Sequence, residues 1–116
     1  MLEPGILVDA AALPLDHTRL PDTQVVAGDP TTGTAVLFED AEREIGVWEM
    51  TPGTATDVEV DEVFVVLFGR AAVYFDGDGF EGHDPIDLYP GAVVRLTDGM
   101  ETTWVVTETL RKVYMV

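Results

Sequence analysis

The segment from Asp61 to Gly69, which reads DEVFVVLFG, restricts the fold of this chain more than any other feature of the sequence. It begins with carboxylates, continues with β-branched and aromatic residues and ends at a glycine, a pattern typical of a β-strand that finishes in a turn. Similar short runs lie on both sides of it, separated by glycine, proline and aspartate. Strands are therefore predicted at Ala35–Glu39, Glu44–Met50, Val58–Phe68, Ala71–Phe75, Ile86–Tyr89, Ala92–Leu96, Thr103–Thr107 and Arg111–Val116.

The spacing of these strands predicts an all-β fold. No helical stripe of useful length is present, and many short strands separated by turns indicate an antiparallel sandwich or a jelly-roll barrel. A chain of 116 residues forms one domain. Four prolines divide residues 1–34 into short pieces, so this segment is predicted to be irregular, with Ile6–Val8 and Gln24–Val26 as candidates for edge strands or for contacts with a second subunit.

The charge of the chain excludes some classes of partner. With 22 acidic and 6 basic residues, the formal net charge is −16, which repels nucleic-acid phosphates and anionic membrane surfaces. We therefore expect neither nucleic acid nor membrane as a partner. The acidity indicates a solubilising surface, with attraction of cationic ligands as the functional alternative. No signal peptide is predicted at the N-terminus, and the lack of cysteine fits a reducing compartment, so a cytoplasmic location is expected.

Five residues have a spacing that resembles the two sequence blocks of the cupin superfamily. Glu62 and Gly69 match the end of the first block, Trp48 lies at its entry, and Gly91 and Trp104 match the second block. The resemblance covers about residues 46–116 and is to small single-domain cupins similar to the cupin domain of (S)-ureidoglycine aminohydrolase and to ethanolamine-utilisation cupins. It implies a cupin-type double-stranded β-helix (jelly-roll barrel), with residues 1–116 as a single domain and a homodimer as the assembly.

The resemblance departs from the metal-binding members of the superfamily. In those members a His-x-His pair precedes the glutamate of the first block, and the second block carries another histidine. Counting back from Glu62 places the pair at Thr56 and Val58, or at Ala55 and Asp57 if the spacer is one residue longer. The histidine position of the second block falls on Thr102. Because imidazole is the usual ligand of a divalent transition metal in such sites, neither a metal nor another cofactor is expected.

Alternation along the strand suggests which side chains face a pocket. If Glu62 faces the barrel interior, Val58, Val60 and Phe64 share that side, and the opposite side carries Asp57, Glu59 and Asp61, which we interpret as a solvated strand end. A buried Glu62 needs a cation or several donors to keep its charge. The alternative is a glutamate at the barrel rim, paired with Arg95, Arg111 or Lys112.

Together these patterns predict a mostly apolar pocket with a few polar groups, which is the general form of a small-molecule site. The alternative for each aromatic residue is core packing. The candidate ligand-binding residues are Trp48, Glu62, Phe64, Tyr74, Thr102, Trp104 and Tyr114.

Three functions remain open at this point. The first is a metal-free cupin that binds a small organic molecule in its barrel. The second is an aminohydrolase-like or isomerase-like enzyme in which Glu62 is the catalytic acid or base. The third is a structural or interaction protein whose barrel is filled by side chains.

Overall fold

The computed structural model describes residues 2–116, and that part of the chain contains β-strands but no helix. Accordingly, nothing in it is a helix long and apolar enough to cross a membrane. The strands are β1 Thr18–Arg19, β2 Val25–Gly28, β3 Thr31–Glu39, β4 Glu44–Met50, β5 Gly53–Val58, β6 Glu62–Asp76, β7 Ile86–Leu88, β8 Val93–Leu96 and β9 Glu101–Met115.

The long strand β9 organises the sheet, in which every pairing is antiparallel. One edge of β9 pairs with β5 along residues 101–106 and with β4 along residues 110–115. Its other edge pairs with β6 over most of its length, and β6 in turn pairs with β7 and β8. On the far side of β4 lies β3, followed by β1, and on the far side of β5 lies β2. The sheet therefore curls around β9, and the prediction of an all-β fold is confirmed.

Two predicted strands are joined into one by a bulge at Gly69. The sequence predicts a turn after Phe68, but β6 continues through Gly69 to Asp76 while its register against β9 shifts. Gly69 has a φ of +99°, and a Cβ at this position would collide with the backbone carbonyl of Thr109. Glycine is the residue that accepts such a backbone and such a close approach, so it permits the bulge without ending the strand.

The N-terminal segment is more regular than predicted. Within residues 1–34 the structure contains β1, β2 and the first residues of β3. The expectation of an edge strand at Gln24–Val26 is confirmed, since β2 starts at Val25 and pairs with β5. Ile6–Val8 forms no strand, and Leu7 is 85% exposed.

Arg111 holds residues 10–13 against the outside of the sheet. Its Nη1 donates hydrogen bonds to the carbonyls of Ala10, Ala11 and Leu13 at 3.0, 3.2 and 2.7 Å. Its Nε donates to Glu49 Oε2 at 2.6 Å, and the guanidinium lies 5.4 Å from the centre of the Phe68 ring. One buried side chain thus connects the central strand to the irregular N-terminal segment.

The inner faces of β6 and β9 build the hydrophobic core. On β6 the bulge changes which residues face inward: Phe64 and Val66 are buried before it, and Ala71 and Val73 after it. On β9 the even-numbered positions from Thr102 to Val106 and from Leu110 to Tyr114 are buried, whereas Glu108 between them is exposed. The buried core consists of Met50, Ala55, Phe64, Val66, Ala71, Val73, Leu88, Leu96, Trp104, Val106, Leu110 and Tyr114.

Candidate small-molecule site

A cavity of about 340 Å³ lies beside this core, inside the barrel. Its walls come mainly from β3, β4, β5 and β9 and from the connection between β5 and β6. Apolar side chains, chiefly Trp48, Met50 and Trp104, form part of the wall. Four carboxylates and one basic residue also line it, namely Glu44, Asp57, Glu59, Glu62 and Lys112.

Lys112 is buried within a group of aromatic rings at the cavity wall. Its Nζ donates a hydrogen bond of 2.6 Å to Glu62 Oε2 and lies 4.6, 4.4 and 4.9 Å from the ring centres of Trp48, Phe64 and Trp104. Lys112 lies on the inward side of β9, directly opposite Trp48 on β4. The aromatic faces and the carboxylate both stabilise the ammonium charge. Lys112 is therefore the cation that a buried Glu62 requires.

The prediction of a continuous strand is wrong at residues 59–61, and the expected solvated side holds for Asp57 and Asp61 but not for Glu59. β5 ends at Val58 and β6 begins at Glu62, so alternation does not continue through the residues between them. As a result Val58 and Val60 are 65% and 53% exposed, whereas Glu59 is only 6% exposed. Neither glycine nor proline marks this break, and the sequence therefore looks like one continuous strand.

Glu59 is a site residue that the sequence analysis missed. Its Oε2 accepts hydrogen bonds from Thr102 Oγ1 at 2.6 Å and from Trp104 Nε1 at 3.1 Å. The indole N–H of Trp104 also lies 3.0 Å from Thr102 Oγ1. These bonds fix the carboxylate and the indole relative to each other, so that both are pre-positioned in the cavity wall.

Metal-binding cupins hold a divalent metal ion, but the residues at the corresponding positions of this chain do not fit one. β5 places Asp57 opposite Thr102 on β9, with Ala55 on the same side, so the longer of the two predicted spacings is the one observed. Ala55 offers no ligand, Glu62 is bonded to Lys112, and the Thr102 hydroxyl is bonded to Glu59. Over residues 2–116, no three or more histidine, aspartate and glutamate side chains come together in a way that could hold a metal ion.

Tyr114 closes another part of the cavity wall. Its hydroxyl donates a 2.6 Å hydrogen bond to Glu44 Oε2. Burial raises the pKa of Tyr114, and the bond to Glu44 raises it further, so the phenol stays a hydrogen-bond donor. The opposite residue on β4 is Gly46, where a Cβ would collide with the phenol. Gly46 therefore provides the space in which the Tyr114 ring lies.

Most of the predicted site residues come together, but one does not. Trp48, Glu62, Trp104 and Tyr114 line the cavity. Phe64 is buried beneath Lys112, and Thr102 is buried behind Glu59, so these two support the wall rather than line the cavity. Tyr74 is 46% exposed and lies outside the cavity, because the bulge at Gly69 reverses the alternation of β6 before Tyr74 is reached.

Asp57 carries charge that the cavity does not compensate. Partial burial raises the pKa of the Asp57 carboxyl, and the negative charge of Glu59 raises it further. An aspartate whose pKa is higher in the folded chain binds its proton more tightly when folded. Its contribution to stability therefore decreases as the pH rises from its ordinary pKa of 3.8 through the raised value of the folded state.

We expect Asp57→Asn to stabilise the protein at pH 7 and to have a smaller effect at pH 4. Because Asp57 is exposed on one side, the gain should be no more than about 0.5 kcal/mol. Asparagine can still accept the hydrogen bond that Asp57 Oδ1 receives from the Val58 amide. Thermal melts at both pH values test this, with Asp87→Asn on β7 as the exposed control. Destabilisation at pH 7, or an equal gain at both pH values, would contradict the account.

Comparison with known proteins identifies the family. The sequence profile of the EutQ-like cupin domain matches residues 37–114, well over half of the chain. No protein of curated function is detectably similar in sequence. The resemblance to the cupin domain of (S)-ureidoglycine aminohydrolase is tested by none of these matches and stays a prediction.

Solved structures share the fold at low sequence identity. A protein of unknown function from Pseudomonas syringae pv. tomato, of the DUF861 family, superposes with a TM-score of 0.77 at 23% identity, over 93% of this chain and 46% of that one. The EutQ protein of Clostridium difficile superposes with a TM-score of 0.62 at 20% identity, over 74% of this chain and 61% of that one. A cupin superfamily protein from Desulfitobacterium hafniense superposes with a TM-score of 0.58 at 15% identity, over 73% of this chain and 75% of that one.

This chain thus spans about half the length of the Pseudomonas protein and about three fifths of the length of EutQ. At these identities the structural likeness establishes the fold alone. Together with the profile match over residues 37–114, it shows that the barrel is a cupin fold and that the chain belongs to the EutQ-like cupin domain family.

Proposed function

We propose that this cupin binds a small organic molecule in the cavity that Trp48 and Trp104 line, without a metal. The observation that carries the proposal is the cavity itself, whose volume of about 340 Å³ is at the lower end of the range typical of small-molecule sites. Apolar side chains form part of its wall, and charged and polar side chains form the rest. This combination provides both contact area and the means to orient a ligand.

The polar groups of the cavity are held in place before any ligand arrives. Lys112 is fixed by Glu62 and three rings, and Glu59 by the donors of Thr102 and Trp104. Because such groups lose little further freedom when a ligand binds, their arrangement favours binding. The open cavity beside Glu62 also disfavours the alternative of a structural protein whose barrel is filled by side chains. Catalysis by Glu62 is not part of the proposal, because pairing with Lys112 accounts for both side chains.

Tryptophan fluorescence offers a direct test, since the only two tryptophans of the chain both line the cavity. In a screen of small organic molecules of varied charge, we expect a class of compounds that shifts the emission and raises Tm. Thr34→Phe should abolish both effects, because Thr34 is an exposed residue of the cavity wall whose replacement by a ring blocks the space. Thr107→Phe, on an exposed part of β9 outside the cavity, is the matched control. A screen without any shift, or shifts that persist in Thr34→Phe, would refute the proposal.

A homodimer, predicted from the sequence, is part of the proposal as well. Its support is an outward-facing apolar row on the sheet, in which Val63, Val93 and Met115 are 38%, 69% and 44% exposed. Burial of such a row in a second copy is favourable. Sedimentation velocity at micromolar concentration should give the mass of a dimer, and a monomer there would contradict this part. The cytoplasmic location stays a prediction.

A further inference from the structure

We propose that the ligand of this cavity is a small organic cation that carries N–H donors, such as a primary ammonium group. This inference rests on the proposed function and adds the chemical class of the ligand. Its first support is the charge of the wall, where four carboxylates face one cation. Lys112 is bonded to Glu62, so its charge compensates that carboxylate and leaves Glu44, Asp57 and Glu59 to be matched.

The second support is an acceptor that the protein leaves available. Both hydrogen bonds that the Glu59 carboxylate accepts reach Oε2, and within the described chain Oε1 has no partner. No buried side-chain oxygen or nitrogen of residues 2–116 is unpaired, so Oε1 must be accessible. Since Glu59 is only 6% exposed and lines the cavity, that access is from the cavity. Oε1 is thus a charged acceptor, fixed in position, that an N–H donor inside the cavity can reach.

The third support is the repulsion between the carboxylates themselves. Glu59 raises the pKa of Asp57, which means that the two negative charges destabilise each other. A cation bound between them would relieve this repulsion, whereas an anionic ligand would increase it. Neutral molecules would gain hydrogen bonds but no such relief. The net charge of −16 for the whole chain also attracts cations to the protein.

Matched compounds that differ only in charge test the inference. Three carbon skeletons (butyl, cyclohexylmethyl and benzyl) are each titrated as the ammonium ion, the alcohol and the corresponding carboxylate, with tryptophan fluorescence and calorimetry as readouts. For the skeletons that bind, we expect the ammonium ion to bind about ten-fold or more tightly than the alcohol, which is the scale of one charge-assisted hydrogen bond. The carboxylate should bind most weakly. The preference for the ammonium ion should decrease with added salt.

Glu59→Gln provides the residue-level test. Glutamine keeps an oxygen that can accept from Thr102 and Trp104, so the wall should stay in place while the charge is lost. We expect about a ten-fold loss of affinity for the ammonium ions and little change for the alcohols. Glu108→Gln makes the same change at an exposed position on β9 outside the cavity and should alter neither affinity. Asp57→Asn should weaken ammonium binding as well. This variant keeps Glu59 and its hydrogen bonds, so it tests the inference even if Glu59→Gln does not fold.

The outcomes separate this inference from the proposed function. Alcohols or carboxylates that bind as tightly as the ammonium ions would overturn the cation preference but leave a small-molecule cavity. An equal loss for ammonium ions and alcohols in Glu59→Gln would also overturn it, because the charge would then play no part. If none of these compounds binds while the broader screen still shifts the tryptophan emission, only the cation inference is overturned. If neither set of compounds binds, both the inference and the proposed function are overturned.

Discussion

Replacing Lys112 by methionine is expected to lower the free energy of unfolding by about 3–5 kcal/mol, the range for breaking one partner of a buried ion pair. The side chains of Lys112 and Glu62 are only 6% and 11% exposed, and their hydrogen bond is 2.6 Å long. Methionine fills much of the space among the rings, so packing is largely retained. The loss therefore comes from leaving the Glu62 carboxylate buried without its cation. Chemical denaturation of the two proteins measures it.

The double variant Lys112→Met/Glu62→Gln separates charge from packing. With no carboxylate left to compensate, the double variant should regain most of the stability lost in Lys112→Met. Glu101→Gln, at an exposed position at the start of β9, serves as the control for a change of net charge. If Lys112→Met stays within about 1 kcal/mol of wild type, or if the double variant is no more stable than the single one, the pair is not buried as described.

Arg111→Met is expected to cost about as much, roughly 3–5 kcal/mol, for a related reason. It leaves Glu49 without the guanidinium that contacts it through both Nε and Nη2, where the side chains of Arg111 and Glu49 are 8% and 13% exposed. It also removes the donors of three backbone carbonyls, those of Ala10, Ala11 and Leu13. The variant should therefore lose stability and, in addition, loosen the N-terminal segment. Denaturation measures the first effect and amide hydrogen exchange of residues 2–17 the second.

Here the double variant should behave differently from the one at Lys112. Without Arg111, Glu49 keeps His17, whose Nε2 lies 3.4 Å from Glu49 Oε1. Arg111→Met/Glu49→Gln removes the carboxylate charge, so part of the stability returns, but the three carbonyls that Arg111 contacts still lack their donor. Rapid exchange in the N-terminal segment should persist. Full recovery of protection in the double variant would show that Arg111 acts only through Glu49, contrary to the geometry.

The local pattern of the sequence predicts the strands where alternation is uninterrupted. β4 has the predicted bounds, Glu44–Met50, because the turn sequence Thr51-Pro52-Gly53 follows it directly. The same reasoning fails at residues 59–61, where no glycine or proline marks the end of β5. The pairing of β5 with β9 is set by residues more than 40 positions apart, such as Asp57 and Thr102, and local spacing does not reveal it.

In the candidate site, too, some residues can be predicted from the sequence and others depend on contacts between distant strands. Trp48, Glu62 and Trp104, which the resemblance to the cupin blocks indicates, and Tyr114, an aromatic candidate, all line the cavity. Lys112 was named only as one of three bases at a barrel rim, since the rings that enclose it come from three separate strands. Tyr74 was misplaced because Gly69 signals a turn and a bulge equally well in sequence, and only the bulge reverses the alternation.

The most direct test of the central claim is a crystal structure of the wild-type protein with benzylammonium. We expect the ligand in the cavity lined by Trp48 and Trp104, with its nitrogen within about 3.2 Å of Glu59 Oε1 and the Lys112–Glu62 pair intact. Density for the ligand elsewhere on the protein, or a cavity closed by its own side chains, would contradict the claim.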